Sequence, residues 1–166
     1  METGTNNIRE HDYAFMHRAI ELSYFAVEND HGDPFGSVIV REGNIVGEGW
    51  NKSRLLTDPS AHAEMEAVRD ACKKLGTTSL KGCTVFASAQ PCPMCLSLLY
   101  LSGIEKLYYC IPTEGIEKIS RNLSVGYIYE ALAKRPSERT IPEIQILGDQ
   151  ADDLIRNYKS ASRSRS

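Results

Sequence analysis

The chain has 166 residues, of which 42% are hydrophobic and 25% charged, and its formal net charge is −3. This is the composition of one ordinary globular domain, long enough to bury a core without disulfides. The acidic balance disfavours binding dominated by nucleic-acid phosphates, and no apolar run approaches the roughly 20 residues of a membrane span. The first residues lack the cationic and apolar stretches of a secretory signal. We therefore expect a cytoplasmic protein that uses no membrane and for which a nucleic-acid partner is disfavoured.

Hydrophobic spacing and turn residues predict an alternation of strands and helices along the chain. In chain order we predict a helix over 11–28, strands over 37–41 and 45–50, a helix over 60–75, a strand over 83–88, a helix over 91–102, a strand over 106–111, helical pieces within 113–135, a strand over 143–147 and a helix over 149–158. Ser60 is placed to cap its helix, and Gly76 to end it. The expected fold is a three-layer α/β/α arrangement in which helices cover both faces of a mixed five-stranded sheet.

The organisation of the chain indicates a single domain. No internal repeat and no linker separates two cores, so residues 1–160 are predicted to form one domain. The last residues, 161–166, are rich in serine and arginine and are predicted to be disordered.

The five cysteines divide into two groups. In a chain without an export signal the thiols are expected to be reduced, so a Cys-x-x-Cys pair indicates a metal or redox site. Cys92 and Cys95 form such a pair. Cys72, Cys83 and Cys110 lie in apolar contexts and are predicted to be buried structural thiols.

Two short motifs carry the chemistry: Ala-His-Ala-Glu at 61–64 and Pro-Cys-Pro-Met-Cys at 91–95. Thiolates three residues apart on a helix face one point, and with His62 they make three ligands for a tetrahedral Zn²⁺, which leaves a fourth position for water. The positive ends of two helices would stabilise that anionic centre. Glu64 is too close to His62 to coordinate easily, and we predict that it moves a proton from the water to a substrate nitrogen.

His-x-Glu followed by Pro-Cys-x-x-Cys is the signature of zinc deaminases. With Pro-Phe-Gly-Ser-Val-Ile-Val at 34–40, Gly-Trp-Asn at 49–51 and Glu-Arg-Thr-Ile-Pro at 138–142, it makes the chain resemble the purine deaminases of the cytidine deaminase fold, and among them the bacterial guanine deaminases. The resemblance implies hydrolytic deamination of a nucleobase or nucleoside, guanine to xanthine and ammonia or a related aminopurine, by a homodimer.

The same resemblance assigns substrate contacts. It implies that Asn51 hydrogen-bonds the base, that the backbone of Ala63 lines the zinc pocket and that Phe35 lies beside it. Guanine deaminases also carry an aspartate after the fourth strand and an aromatic residue near the C-terminus. This chain has Ser124-Val125 at the first position, and its nearest late aromatic is Tyr158. A pocket discriminates strongly between bases only when it contains a protein group that hydrogen-bonds the distinguishing group of the substrate. Because this chain lacks the aspartate, its specificity for guanine stays open.

Three other functions are compatible with the motifs. A tRNA-specific adenosine deaminase shares them, although the net charge of −3 and the lack of a basic C-terminal helix argue against it. A cytosine-type pyrimidine deaminase is a second possibility. A non-catalytic zinc-binding module is the third, and it would contain metal without releasing ammonia. Gln90, which stands where these enzymes commonly have a glutamate, receives no role from the sequence.

Overall fold

The computed structural model describes residues 8–119, 125–146, 151 and 155–158. The chain divides into two compact units, Met1–Gly126 and Tyr127–Ser166. In chain order the elements are α1 (Glu10–Glu28), β1 (Gly36–Arg41), β2 (Asn44–Trp50), α2 (Ser53–Leu56), α3 (Ala63–Leu75), β3 (Cys83–Ala89), α4 (Pro93–Ser102), β4 (Lys106–Ile111), α5 (Thr113–Ile119), α6 (Gly126–Ala133) and a 3₁₀ turn (Pro136–Glu138).

The sheet is mixed, with the strand order β2-β1-β3-β4. β1 runs antiparallel to both β2 and β3, and β3 runs parallel to β4. The predicted hairpin and the predicted parallel crossover are therefore both confirmed. The crossover is α4, which returns the chain to the same end of the sheet.

The prediction of a fifth strand at 143–147 was wrong for the part of it that the structure describes. Residues 143–146 adopt no strand. Ile144 and Ile146, which a strand would bury on one face, are 81% and 78% exposed. Without such burial, nothing offsets the conformational entropy that ordering a strand costs. The sheet thus has four strands among the described residues.

The two faces of the sheet bury different side chains, as the period of two along a strand requires. On one face Val38, Val40 and Phe86 pack against Leu22 of α1. On the other face Ile39, Val85 and Ala87 pack against small residues of α3 and against Leu99 of α4. The core is thus split by the sheet, and the three-layer α/β/α prediction is confirmed.

Two helix starts differ from the sequence prediction. α3 begins at Ala63 rather than Ser60, and α4 begins at Pro93 rather than residue 91. Ser60 does not cap α3, because the residue at the cap position is His62. The Ser60 N–H instead donates to the Asp58 carboxylate at 2.8 Å in a turn before the helix. Gly76 does end α3 in the left-handed conformation, with φ 65°. The shifted starts place His62 and Cys92 just outside the helices, which matters for the site below.

The second unit contains nearly all of α6, together with the 3₁₀ turn. Helical pieces were predicted within 113–135 and are confirmed by α5 and α6. Of the predicted closing helix, Ala151 and residues 155–158 are helical, and the rest lies outside the described residues, as does the tail 161–166. The single domain over 1–160 remains a prediction. Within the described part of the chain, no helix is both long enough and apolar enough to cross a membrane.

The three cysteines outside the Cys-x-x-Cys pair differ in burial. Cys83 is buried and Cys72 half-buried, but Cys110 is exposed. The prediction of a buried Cys110 was wrong: β4 is the last strand of the sheet among the described residues, and its residues Tyr109 and Cys110 are both exposed.

We predict that Gly49→Ala lowers the free energy of unfolding by about 1–3 kcal/mol, the usual cost of overpacking. A methyl group at Gly49 would overlap the carbonyl oxygen of Ala63 and the amide nitrogen of Ala67, and such backbone atoms cannot turn away. Urea unfolding measures this change. Ile45→Ala, at a 38% exposed position on the same strand, is the control with a smaller expected loss. An unchanged midpoint for Gly49→Ala would contradict the close approach of β2 to α3.

Candidate active site

The candidate site lies where α3 and α4 begin. His62 immediately precedes α3 and Cys92 immediately precedes α4, both with extended backbone (ψ 159° and 168°), and neither helix start has a side-chain capping hydrogen bond. Ser, Thr, Asp or Asn would normally occupy such positions and cap the first turn. Because His62 and Cys92 do not cap, their imidazole and thiol are available to another partner. The positive ends of the two helices lie beside them.

Short main-chain hydrogen bonds hold the segments that lead into these helices. The N–H of Lys52, just after β2, donates to the Ala61 carbonyl oxygen at 2.9 Å. The N–H of Gln90, just after β3, donates to the Ile111 carbonyl oxygen at 2.8 Å. Pro93 occupies the start of α4, where its missing N–H costs no helical hydrogen bond. The ends of three strands therefore fix where both helices start.

His62, Cys92 and Cys95 come together in space, as the sequence predicted. One ligand atom from each lies within 4.8 Å of the others. The Nδ1 atom of His62 is 3.6 Å from the sulfur of Cys92 and 3.5 Å from the sulfur of Cys95. In a tetrahedral zinc site with ordinary bond lengths, a nitrogen and a sulfur ligand are separated by about 3.6 Å. The three side chains therefore fit Zn²⁺, and three protein ligands are typical of catalytic rather than structural zinc.

The charges of the site already favour one thiolate. The hydrogen bond from the Cys95 thiol is the largest cause of a pKa of Cys92 lowered to about 4, and the hydrogen bond with His62 also contributes, against the opposing effect of burial. The hydrogen bond to Cys92 in turn raises the pKa of Cys95 and the pKa of His62. Cys92 is thus ionised at neutral pH, which is the form that binds metal.

Glu64 lies in the first turn of α3 and is only 8% exposed. Burial raises the pKa of the Glu64 carboxyl above its ordinary range, and the neighbouring Cys92 thiolate raises it further. A buried carboxyl group beside three metal-ligating side chains, but not among them, has the position of a general acid and base.

Of the three predicted substrate contacts, Asn51 and Phe35 are joined by a main-chain hydrogen bond, and Ala63 adjoins His62 and Glu64 in the chain. Asn51 is 2% exposed, and its N–H donates to the carbonyl oxygen of Phe35 at 2.9 Å. Ala63, 1% exposed, is the first residue of α3 and separates His62 from Glu64. Their roles toward a substrate stay predictions. Two positions of this chain differ from the pattern of guanine deaminases. Ser124, at the position of their aspartate, lies outside the described residues, and Tyr158, the nearest late aromatic residue, is 75% exposed.

Two supporting residues were missed by sequence reasoning. The Gln90 side-chain oxygen accepts hydrogen bonds from the N–H and the hydroxyl of Thr113, at 3.1 and 3.0 Å. Gln90 thereby fastens the start of α5 to the loop that carries Cys92. The second residue is Ser53, which hydrogen-bonds the side chain of Asn51. Only the Asn-x-Ser spacing, typical of a side-chain turn, could have indicated it.

Comparison with protein families gives a match to the cytidine and deoxycytidylate deaminase zinc-binding region over residues 9–111. The match includes His62, Glu64, Cys92 and Cys95. The chain belongs to this deaminase family. It is therefore a Zn²⁺-dependent hydrolase that acts on a C–N bond.

Individual relatives are similar over most of the chain. The guanine deaminase of Bacillus subtilis is 39% identical over 132 residues, which are 80% of this chain and 83% of that enzyme. Its crystal structure superposes with a TM-score of 0.85 at 33% identity, covering 92% of this chain and 95% of the other. A guanine deaminase structure from Nitrosomonas europaea gives a TM-score of 0.64 at 25% identity. These similarities confirm the cytidine deaminase-like fold.

Similarity to another group of deaminases is more local. The tRNA-specific adenosine deaminase of Aquifex aeolicus is 45% identical over 76 residues, but these make up 46% of this chain and 50% of that enzyme. These relatives share the deamination of a nucleobase or nucleoside. The protein described here is likewise a nucleobase or nucleoside deaminase.

We predict that Gln90→Ala lowers thermal stability whereas Gln90→Glu does not. Alanine removes the oxygen that accepts two hydrogen bonds from Thr113, each worth about 0.5–1.5 kcal/mol. Glutamate keeps that oxygen. Differential scanning calorimetry of the three zinc-loaded proteins checks this, and equal transition temperatures for Gln90→Ala and the unsubstituted chain would contradict the role of Gln90.

Proposed function

We propose that this protein deaminates a free aminopurine, converting guanine to xanthine and ammonia or acting on a related aminopurine. The observation that carries the proposal is the placement of the buried Glu64 carboxyl beside the three converging ligand atoms of His62, Cys92 and Cys95. The similarity to the Bacillus subtilis guanine deaminase over 80% of the chain supports the purine class.

The metal ligands in this proposal are His62 through Nδ1 and Cys92 and Cys95 through sulfur. A zinc ion held there supplies a Lewis acid that lowers the pKa of water to about 7. The protein contributes the two helix ends, whose unpaired N–H groups stabilise the negative charge of the thiolates. Cys95 is only 1% exposed, so solvent has little access to its sulfur.

Glu64 is the proton carrier. Its carboxylate takes a proton from the attacking water and gives it to the ring nitrogen next to the amino-bearing carbon of the substrate. The water oxygen forms a new C–O bond, the C–N bond breaks, and Glu64 delivers the second water proton to the departing amine, so that ammonia leaves. The low exposure of Glu64 keeps bulk water from exchanging these protons during the reaction.

Asn51, Ala63 and Phe35 are proposed to hold the base. Asn51 offers a side-chain amide, Ala63 a backbone group at the start of α3, and Phe35 an aromatic ring against the planar base. The aspartate that reads the guanine edge has no counterpart at Ser124-Val125. A purine that needs no carboxylate partner at this edge is therefore as good a candidate as guanine. We also propose that the enzyme is a homodimer that acts in the cytoplasm.

A tRNA-specific adenosine deaminase is the second candidate, favoured by the 45% identity to the Aquifex aeolicus enzyme over 76 residues. The net charge of −3 makes it the weaker one, because RNA binding relies on cationic contacts with phosphates. Tight RNA binding that falls steeply with salt concentration would favour this candidate.

The substrate is tested by ammonia release from the zinc-loaded protein. Guanine, guanosine, 2-aminopurine, adenine, cytosine, cytidine and an adenosine-containing tRNA stem-loop are supplied in parallel. We expect turnover of guanine or another free aminopurine. Turnover of the stem-loop alone would establish the tRNA candidate, turnover of cytosine alone the pyrimidine candidate, and zinc binding without any ammonia a non-catalytic module.

We predict that Glu64→Ala retains zinc but loses turnover by about 10²–10⁴-fold, the usual contribution of a positioned acid–base group. Glu64→Gln, which keeps the size of the side chain, is expected to lose as much. Zinc content by atomic absorption and ammonia release measure the two properties separately. Glu66→Ala removes a carboxyl group two residues after Glu64 on the same helix. It is the control expected to keep most activity. Unchanged turnover in Glu64→Ala would refute the proton-transfer role.

Zinc removal gives a further prediction. Dialysis against a chelator is expected to abolish ammonia release and to lower the unfolding temperature, because a ligand bound only by the folded state stabilises it. Readdition of Zn²⁺ should restore both. Full activity in protein shown to be free of zinc would contradict the metal-dependent reaction.

A further inference from the structure

The side-chain amide of Asn51 has a fixed polarity. Its oxygen, Oδ1, accepts a hydrogen bond from the Ser53 N–H at 3.0 Å and another from the Ser53 hydroxyl at 2.8 Å. A main-chain N–H can only donate. The atom of Asn51 that faces Ser53 must therefore be the oxygen, and the NH₂ group must lie on the other side of the amide.

Gly32 encloses the oxygen from a second direction. A Cβ atom at position 32 would overlap Oδ1 of Asn51, so the glycine leaves just enough room for it. The loop that contains Gly32 is itself held, because the Arg54 guanidinium donates to the Gly32 carbonyl oxygen at 2.6 Å. The main-chain N–H of Arg54 also donates to the carbonyl oxygen of His31. The oxygen side of the amide is thus closed by protein.

The NH₂ group has no such partners in the described part of the chain. Among the described residues, no acceptor is hydrogen-bonded to Nδ2 of Asn51, although the side chain is only 2% exposed. Nor is Nδ2 among the polar atoms of the described residues that are buried without a partner. The bonds from Asn51 to Phe35 and from Lys52 to Ala61 place this residue next to the segment that carries His62.

We propose that Ser53 is a positioning residue that holds the Asn51 amide with its NH₂ group toward the substrate, and that the substrate therefore presents a hydrogen-bond acceptor there. This inference rests on the proposed function of the site and adds a requirement to it. The acceptor is a carbonyl oxygen or an unprotonated ring nitrogen of the base. A base with an amino group at that place would meet donor against donor and be rejected.

Fixing the amide in advance has a physical benefit. A free asparagine side chain can rotate its amide by half a turn and present either group, and binding would have to select one orientation. With Oδ1 already bound to Ser53, the orientation is set before the substrate arrives, so less side-chain entropy is lost on binding. The substrate acceptor then completes the hydrogen bonding of a buried amide.

The experiment measures binding of guanine to the zinc-loaded full chain that carries Glu64→Gln, so that turnover does not interfere. Asn51→Asp replaces the NH₂ group by an oxygen but keeps the oxygen that Ser53 binds. We expect this substitution to weaken guanine binding by about 100-fold or more, because the new carboxylate oxygen would face the acceptor atom of the base. The loss should exceed that caused by Asn51→Ala. Equal affinities for Asn51→Asp and its parent would overturn the proposed polarity.

The role of Ser53 is tested by a matched pair of nearly equal shape. Ser53→Thr keeps the hydroxyl and Ser53→Val removes it. We expect threonine to preserve guanine affinity and valine to weaken it by about 3–10-fold, the effect of one hydrogen bond. In the Glu64-containing enzyme the loss should lie in KM rather than in kcat, because the amide binds the ground state and the transition state alike. Indistinguishable threonine and valine variants would overturn the role of the Ser53 hydroxyl.

A readout without substrate separates this inference from the proposed function. Relaxation of the ¹⁵N-labelled Asn51 side chain in the base-free protein reports how rigid the amide is. We expect a rigid amide in the parent and in Ser53→Thr and a more mobile one in Ser53→Val. If no base binds or reacts but this pattern holds, the substrate assignment fails and the positioning role stands. Equal mobility in all three proteins would overturn the positioning role even if guanine is turned over.

Discussion

The site depends on two helices that begin at the same place and whose first turns are not capped by their own side chains. His62 and Cys92 occupy the positions where a capping residue would normally stand, and both turn their side chains toward a common point. This arrangement is stabilised only when something negatively charged lies between the helix ends. A thiolate pair around a metal ion meets that condition, so the metal chemistry and the helix electrostatics support each other.

That convergence requires an unusually close contact between α3 and the sheet. Gly47 and Gly49 of β2 leave no room for a side chain beneath α3, and small residues such as Ala67 and Ala71 of α3 lie above them. The helix therefore rests directly on the strand backbone. At the other helix, Gln90 links the loop before α4 to Thr113 and so to the segment after β4. Backbone packing and the Gln90 hydrogen bond thus hold the segments that carry the ligands.

The region around Asn51 illustrates how polar groups can be used before a substrate is bound. Ser53, Gly32 and Arg54 together satisfy or enclose one end of the amide. The other end remains a donor with no protein acceptor among the residues described. A site of this kind selects by leaving one buried polar group unsatisfied until a molecule with the complementary group arrives.

Much of the fold followed from local patterns. The amphipathic period of α1, the turn at residues 42–44 and the buried apolar run of β3 each predicted the element that the structure contains. The position of β4 as the last strand of the sheet among the described residues was not visible in its sequence, and Cys110 was therefore wrongly predicted to be buried. The two isoleucines at 144 and 146 have the alternation of a strand but remain exposed. Alternating apolar residues show only that a strand could bury one face. Whether another helix or strand covers that face depends on the tertiary structure.

By itself, the sequence indicated which side chains can bind zinc and which family the motifs belong to, and it singled out the carboxyl group that we propose as the proton carrier. It could do so because the short spacing within each motif is a local property of the chain that no distant contact changes. Only the tertiary structure decided where the helices start, which residues hydrogen-bond Asn51 and Gln90, and which atom of the Asn51 amide faces Ser53. Those features depend on contacts between segments that are separated in the chain. Such contacts produce no periodic pattern in the sequence from which they could be predicted.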